Sequence, residues 1–388
     1  MHFILSFFKF RLISSFSCLL VLSHVIDDCH IYSRLYFFAF DFFFFLFVML
    51  YYLFFFTQFI FTFLLFLLCA FFFFALPLSS LCCFFLAPVQ FVIGKKGTAD
   101  GDFDNPFDVA CSRDGLLYAT DSDNHRLQVL RADDGAFVRK FGTRGSGQGQ
   151  FSSPCGVCLD DDKGLVYVAD RHNHRVQVHR QDTLAFVRTI LVAVGQGGQA
   201  SRPQGVSCGA NDLLYVANFY SHVVEVFERE NGTHVNTIGL SGTHGSGNGL
   251  FYGPAGVCCT ADGLLYVADY FNCRVQVFRQ NTHAYVRQFG SHGTGDGQFR
   301  YPTGVCLGSD GLVYVTDQYN NRVQVFRHDN GMFVAVLGGG AAGHGARVRK
   351  LSKPKGICCS EDGVLYVADY GYDRIHAFPV VQQQQQRE

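Results

Sequence analysis

Over most of its length this chain alternates apolar and polar residues in short runs, and the runs repeat. The unit is clearest around Tyr266. Residues 256–259 (Gly-Val-Cys-Cys) are short and apolar, and Asp262-Gly263 is a hairpin-turn dipeptide. Residues 264–268 are rich in β formers, and Asp269-Tyr270-Phe271-Asn272 forms a turn. Residues 274–278 (Arg-Val-Gln-Val-Phe) have the period of a half-buried strand, and residues 284–289 predict a fourth. The same Leu-x-Tyr-Val-Ala-Asp-like run recurs at Tyr118, Tyr167, Tyr215, Tyr266, Tyr314 and Tyr366, at steps of 48 to 52 residues. A period near fifty marks one supersecondary unit copied along the chain. Four antiparallel strands per copy, with no helical period in the repeats, predict an all-β fold of propeller blades.

The fourth-strand pattern follows five copies, but the last copy ends at Phe378 without one. A matching run precedes the first copy at residues 89–94. The N-terminal strand is therefore expected to complete the last blade, which closes the ring and removes two open sheet edges. The result is a six-bladed β-propeller of four-stranded antiparallel blades over residues 89–380.

The repeated element is Pro-x-Gly-Val, then Asp-Gly-x-x-Tyr-Val-Ala-Asp, then x-x-Asn-x-Arg-Val-Gln-Val-Phe. It resembles the NHL repeat, most clearly at residues 154–178, 254–278 and 302–326. The resemblance covers all six blades, about three quarters of the chain. It implies the propeller strongly and a function weakly, because propellers host unrelated activities.

The remainder differs in composition. Residues 1–41 form an N-terminal flank. Residues 42–88 are Phe- and Leu-rich and carry no charge. The run at 42–78 is long enough to span a bilayer, and its flanks carry both signs of charge, leaving orientation open. Its Phe, Leu, Ser, Cys and Tyr residues are also what a translated T-rich intron encodes. Two readings therefore stand: a membrane anchor with the propeller cytosolic, or a soluble cytoplasmic propeller. Residues 381–388 are a Gln-rich tail.

Lys plus Arg number 31 and Asp plus Glu 32, with three of each before residue 89. The propeller is thus near neutral, without the global basic field that drives nucleic-acid binding. The chain has 15 cysteines, but no paired Cys-x-x-C at finger or RING spacing. Cys158, Cys258, Cys306 and Cys358 share one slot of the innermost strand. Cys111, Cys208, Cys259 and Cys359 share the next. Equivalent slots point outwards around a ring, so these thiols are expected to pack as small hydrophobes rather than converge. Unpaired thiols favour a reducing compartment.

The Asp-x-x-Asn-x-Arg element pairs Asp121 with Arg126, Asp170 with Arg175, Asp269 with Arg274, Asp317 with Arg322, and Asp369 with Arg374. Five copies suit a turn-pinning charge pair better than one catalytic site. The third blade departs, with Asn218, Ser221 and Val223. Most histidines are expected in outer turns, and His172, His222, His244, His292 and His344 on one face. Lyases resembling this fold hold a channel zinc on three histidines, but no metal-ligand spacing is apparent here. No metal or cofactor and no catalytic residue is assigned.

Two loop classes are expected to share one face. They present Arg144, Arg171, His172, Phe219, Tyr220, Tyr270, Phe271, Tyr319, Tyr370 and Tyr372. Phe107, Cys155, Gln204, Ala255, Thr303 and Lys355, each following a proline, are expected at the channel mouth. Aromatics with a few Arg and His are the composition of interface hot spots. The expected function is a non-enzymatic protein- or peptide-binding scaffold. RNA binding, which the resemblance implies for members carrying RING and B-box domains, is the alternative. A metal-dependent lyase in the channel is a further one. A ubiquitin-ligase role rests on family analogy alone.

Overall fold

The computed structural model describes residues 91–192, 201–338 and 350–379. Six four-stranded antiparallel sheets follow one another along the chain. Blade 4 is typical, with strands Pro254–Cys259, Leu264–Asp269, Arg274–Arg279 and Tyr285–Phe289 in that order from the channel outwards. The innermost strands of the other blades are Pro106–Cys111, Pro154–Asp160, Pro203–Cys208, Pro302–Leu307 and Pro354–Cys359. Each touches the next, and the sixth returns to the first.

Ring closure follows the sequence. Phe91–Ile93 pairs antiparallel with Arg374–Pro379, Phe91 opposite Ala377 and Ile93 opposite Ile375. Among the described residues no helix is long and apolar enough to cross a membrane. Residues 1–90, which include the apolar run at 42–78, and the tail at 380–388 lie outside the described residues.

Apolar side chains from facing sheets form the core between blades. The repeated tyrosine is buried in all six copies. Its hydroxyl donates to a backbone carbonyl of the next blade: Tyr215 to Gln280 at 2.9 Å, Tyr266 to His328 at 3.1 Å, and Tyr366 to Ala132 at 2.7 Å across the closure. A buried tyrosine needs such a partner, and here the partner ties one blade to its neighbour. Tyr314 instead donates to Asp310 at 2.7 Å.

The cysteines make one contact that the sequence did not announce. Equivalent slots do not meet, but the first slot of one blade faces the second slot of the next. The Cys158 and Cys208 sulfurs lie 3.4 Å apart, and the Cys259 amide donates to Ser207 Oγ at 3.0 Å in the same way. The stagger between neighbouring blades brings unlike slots together. Burial, with Cys208 beside it, pushes the Cys158 thiol well up, which keeps it protonated and apolar in character.

The channel throat is a ring of glycines with one exception. An added Cβ at Gly156, Gly205, Gly256 or Gly304 would lie 2.3–2.5 Å from a carbonyl oxygen of the next blade. Blade 1 has Asp108 in this position. Its carboxylate accepts from the Val109 amide at 2.9 Å and the Val157 amide at 3.1 Å. Burial nevertheless pushes this carboxyl up to about 7. The folded state therefore holds this proton more tightly than the unfolded chain. The resulting stabilisation is complete below about pH 4 and is lost as pH rises to about 7. Asp108→Gly, which restores the ring, is expected to remove that loss. Each pKa unit is worth about 1.4 kcal/mol, so the urea midpoint of the native protein should fall relative to that of Asp108→Gly as pH rises from 4 to 8. Parallel curves from pH 4 to 8 would show that Asp108 is not the titrating group.

Candidate binding face

The face is built on the turn between the second and third strands. In blade 4, Asp269 accepts at Oδ1 from the Tyr252 amide at 2.8 Å. At Oδ2 it accepts from Asn272 at 2.9 Å, Arg274 Nε at 2.8 Å and Gln276 at 3.1 Å. The far side of the Arg274 guanidinium donates to the Ser246, Gly247 and Leu250 carbonyls of the loop arriving from blade 3. One carboxylate thus fixes both loop classes. Asp121–Arg126 at 2.7 Å, Asp170–Arg175 at 2.8 Å and Asp317–Arg322 at 2.8 Å repeat the arrangement. In blade 6 the Asp369–Arg374 distance opens to 3.5 Å, because His376 occupies the carboxylate at 2.9 Å. Arg374 instead lies over the Tyr372 ring at 4.7 Å.

Held on these turns is a continuous set of rings spanning blades 3 to 5. Phe219 is buried and contacts Tyr220, Tyr270 and Phe271 at centroid distances of 5.3–5.6 Å. Tyr270 stacks on Tyr301 at 4.8 Å, and Tyr301 meets Tyr319 at 5.2 Å. On the other side Phe271 meets Tyr252 at 4.6 Å, and Tyr252 stacks on His244 at 4.4 Å. Tyr220, Phe271 and Tyr319 are 40–44% exposed. Arg202 lies over Tyr220 at 4.7 Å, and Lys353 lies 6.0 Å from the Tyr319 ring.

The channel mouth forms a second group, with one residue from each blade. Phe107, Cys155, Gln204, Ala255 and Thr303 are buried. Thr303 is bound to the Pro354 carbonyl and the Thr316 hydroxyl. Lys355 remains half-exposed. Its ammonium sits between two ring faces, 3.5 Å from the Tyr370 centroid and 4.1 Å from that of Phe107. Burial pulls its pKa down to about 7, with Cys155, Arg171, Asp123 and Lys353 the charged or titratable neighbours.

Arg171 and His172 occupy the blade 2 turn, with His172 exposed. Arg144 is exposed in a two-residue parallel pairing with Gln150–Phe151, apart from the ring cluster. His222 and His244 do come together, with rings 5.6 Å apart. His344 lies outside the described residues. Two histidines depart from the expected outer turns. His179 and His376 are fully buried within strands, and burial lowers the His179 pKa to about 4. Among the described residues no three His, Cys, Asp or Glu side chains converge as a metal site.

The NHL repeat family model matches residues 151–178, 251–278 and 299–326. The chain carries NHL repeats. The RING finger protein nhl-1 of Caenorhabditis elegans is 42% identical over 66 residues, or 17% of this chain and 7% of that protein. The chain therefore spans far less than two thirds of that relative's length. A protein of unknown function from Bacteroides thetaiotaomicron superposes with a TM-score of 0.55 at 19% identity, over 74% of this chain and 73% of that one. The Kuenenia stuttgartiensis hydrazine synthase gives 0.50 at 14% identity, over 74% and 98%. At these identities the likeness concerns the fold alone.

The NHL motif itself accounts for the Asp, Asn, Arg and Gln of the turns in blades 1, 2, 4 and 5, and it leaves the rings unexplained. The equivalent turn carries Ser122 and Asp123 in blade 1, and Arg171 and His172 in blade 2. Tyr252 and Tyr301 escaped the sequence reading. Tyr252 lies two residues and Tyr301 one residue before an innermost-strand proline, and an aromatic just ahead of that proline in two successive blades was the available signal.

Proposed function

We propose that this NHL propeller is a non-enzymatic scaffold that recognises a protein or peptide through the ring platform of blades 3 to 5. The observation that carries this reading is the contiguous, partly exposed cluster from His244 to Tyr319. Clustered exposed rings with flanking Arg and Lys are the composition of an interface core. The turn chemistry does not require rings there, as blades 1 and 2 demonstrate.

Selection of a displayed peptide library on the purified full-length protein tests this. A Tyr220→Ser, Phe271→Ser, Tyr319→Ser variant, altered only at exposed positions, serves as the counter-selection. Selected peptides are expected to bind the variant at least ~100-fold more weakly, consistent with the loss of hot-spot rings. Equal binding to both proteins overturns the reading.

One observation favours RNA as a second reading. Arg202 over Tyr220 is also a stacking platform for single-stranded bases. The near-neutral charge opposes it. RNA binding predicts oligonucleotide affinity that falls steeply between 50 and 200 mM salt, which fluorescence anisotropy reads directly. Tethering to a membrane would come from residues 42–78.

A further inference from the structure

The buried arginines of the turns each have a carboxylate within 2.8 Å in blades 1, 2, 4 and 5. Arg229 likewise has Asp160 at 2.8 Å. Lys355 and Arg171 differ. Neither has a carboxylate within 4 Å among the described residues, and the Arg171 charge adds to the burial that lowers the Lys355 pKa. The Arg171 Nε is buried with no hydrogen-bond partner. The acid that acts on Lys355 is Asp123, which is exposed and accepts a hydrogen bond from the Asn105 side chain. A buried guanidinium nitrogen without a partner is costly, and with the carboxylate-free ammonium of Lys355 it makes a place prepared for a negative group.

The blade architecture does not demand it. The residues equivalent to Lys355 are Phe107, Cys155, Gln204, Ala255 and Thr303, all uncharged. The Phe107 and Tyr370 rings hold the ammonium from two sides and partly offset its desolvation. They leave its hydrogen-bond donors unused by any described residue. Arg171 adds a planar fork suited to two oxygens of one anion.

We propose that Lys355 and Arg171 form an anion site at the channel mouth, and that its occupant is a carboxylate of the peptide that docks on the adjacent rings. The second half rests on the peptide reading above. A carboxylate suits the site better than a phosphate chain. Asp123 and Asp373 both act on Tyr370, and Asp104 and Asp373 flank Lys96. That acidic rim tolerates a single negative charge and repels a polyanion.

The probe is glyoxylate, a carboxylate-bearing aldehyde, with cyanoborohydride on the full-length protein. The Lys355 amine attacks the aldehyde carbon, water leaves to form an imine, and hydride from the borohydride reduces it. The product is carboxymethyl-lysine, mapped by mass spectrometry. Formaldehyde is the neutral control, and exposed Lys353 is the internal reference. The expected ratio of glyoxylate to formaldehyde labelling is at least ~10-fold higher at Lys355 than at Lys353. Arg171→Gln removes this preference, and a platform-selected peptide containing Asp or Glu protects Lys355.

Equal ratios at the two lysines overturn the anion site, whatever the platform binds. A preference that survives in Arg171→Gln removes Arg171 from it. Protection by inorganic phosphate or RNA but not by acidic peptide overturns the peptide carboxylate as occupant. The Tyr220, Phe271, Tyr319 variant separates the two proposals. It should lose peptide protection while keeping the glyoxylate preference.

Discussion

Replacing Asp269 with alanine is expected to destabilise the propeller by about 3–5 kcal/mol, the cost of stranding one partner of a buried ion pair. The Arg274 side chain is 7% exposed and its Nε has only Asp269. Asn272, Gln276 and the Tyr252 amide lose the same acceptor. The intact pair is not itself a large source of stability. In the equivalent sites, burial pushes the Asp121 and Asp317 carboxyls up against the pull of their amide, Asn and Arg partners. The cost lies in breaking the arrangement, because Arg274 cannot be neutralised by losing a proton. Blade 3 provides the comparison. Asn218 replaces the aspartate, Val223 replaces the arginine, and the Asn218 side chain accepts only the Arg202 amide at 3.0 Å. Asn218→Ala should therefore cost far less, about 1 kcal/mol for one buried hydrogen bond. Urea midpoints of the two variants decide the matter. Equal losses would mean that the charge pair contributes no more than one amide contact.

The blades were legible because each strand writes its period of two in its own residues, and the Asp-Gly and Asp-x-x-Asn turns punctuate it. Ring closure was legible by counting fourth strands. Of the face, the exposed turn rings could be read because a turn position in a known blade scheme fixes where a side chain emerges. What escaped depends on contacts between blades. Nothing local to Lys355 announces the Phe107 ring, which only closure brings beside it. Nothing local to Cys158 announces Cys208, because the stagger of neighbouring sheets is not written in either strand. Tyr301 joins Tyr270 to Tyr319 only once blades 4 and 5 are side by side. His376 occupies the strand slot that carries Gln276 in blade 4 and takes over the carboxylate contact.

Gly256→Ala is expected to destabilise the fold by about 3 kcal/mol or more, at or beyond the usual range for overpacking. The added methyl would lie 2.3 Å from the Thr303 oxygen, 3.0 Å from the Gly304 Cα and 3.2 Å from the Thr303 carbonyl carbon. All three are backbone atoms of the next innermost strand, so no side chain can turn aside. Relief requires blade 5 to retreat, and a closed ring passes that displacement to every seam. Gly263 is the control of opposite kind. It lies in the Asp-Gly hairpin at φ 84°, and an added Cβ would meet nothing within 4 Å. Gly263→Ala should cost only the backbone strain of that turn, about 1 kcal/mol. If the two substitutions shift the melting temperature equally, the throat is not packed to contact. The glycine ring would then record turn geometry rather than the approach of neighbouring blades.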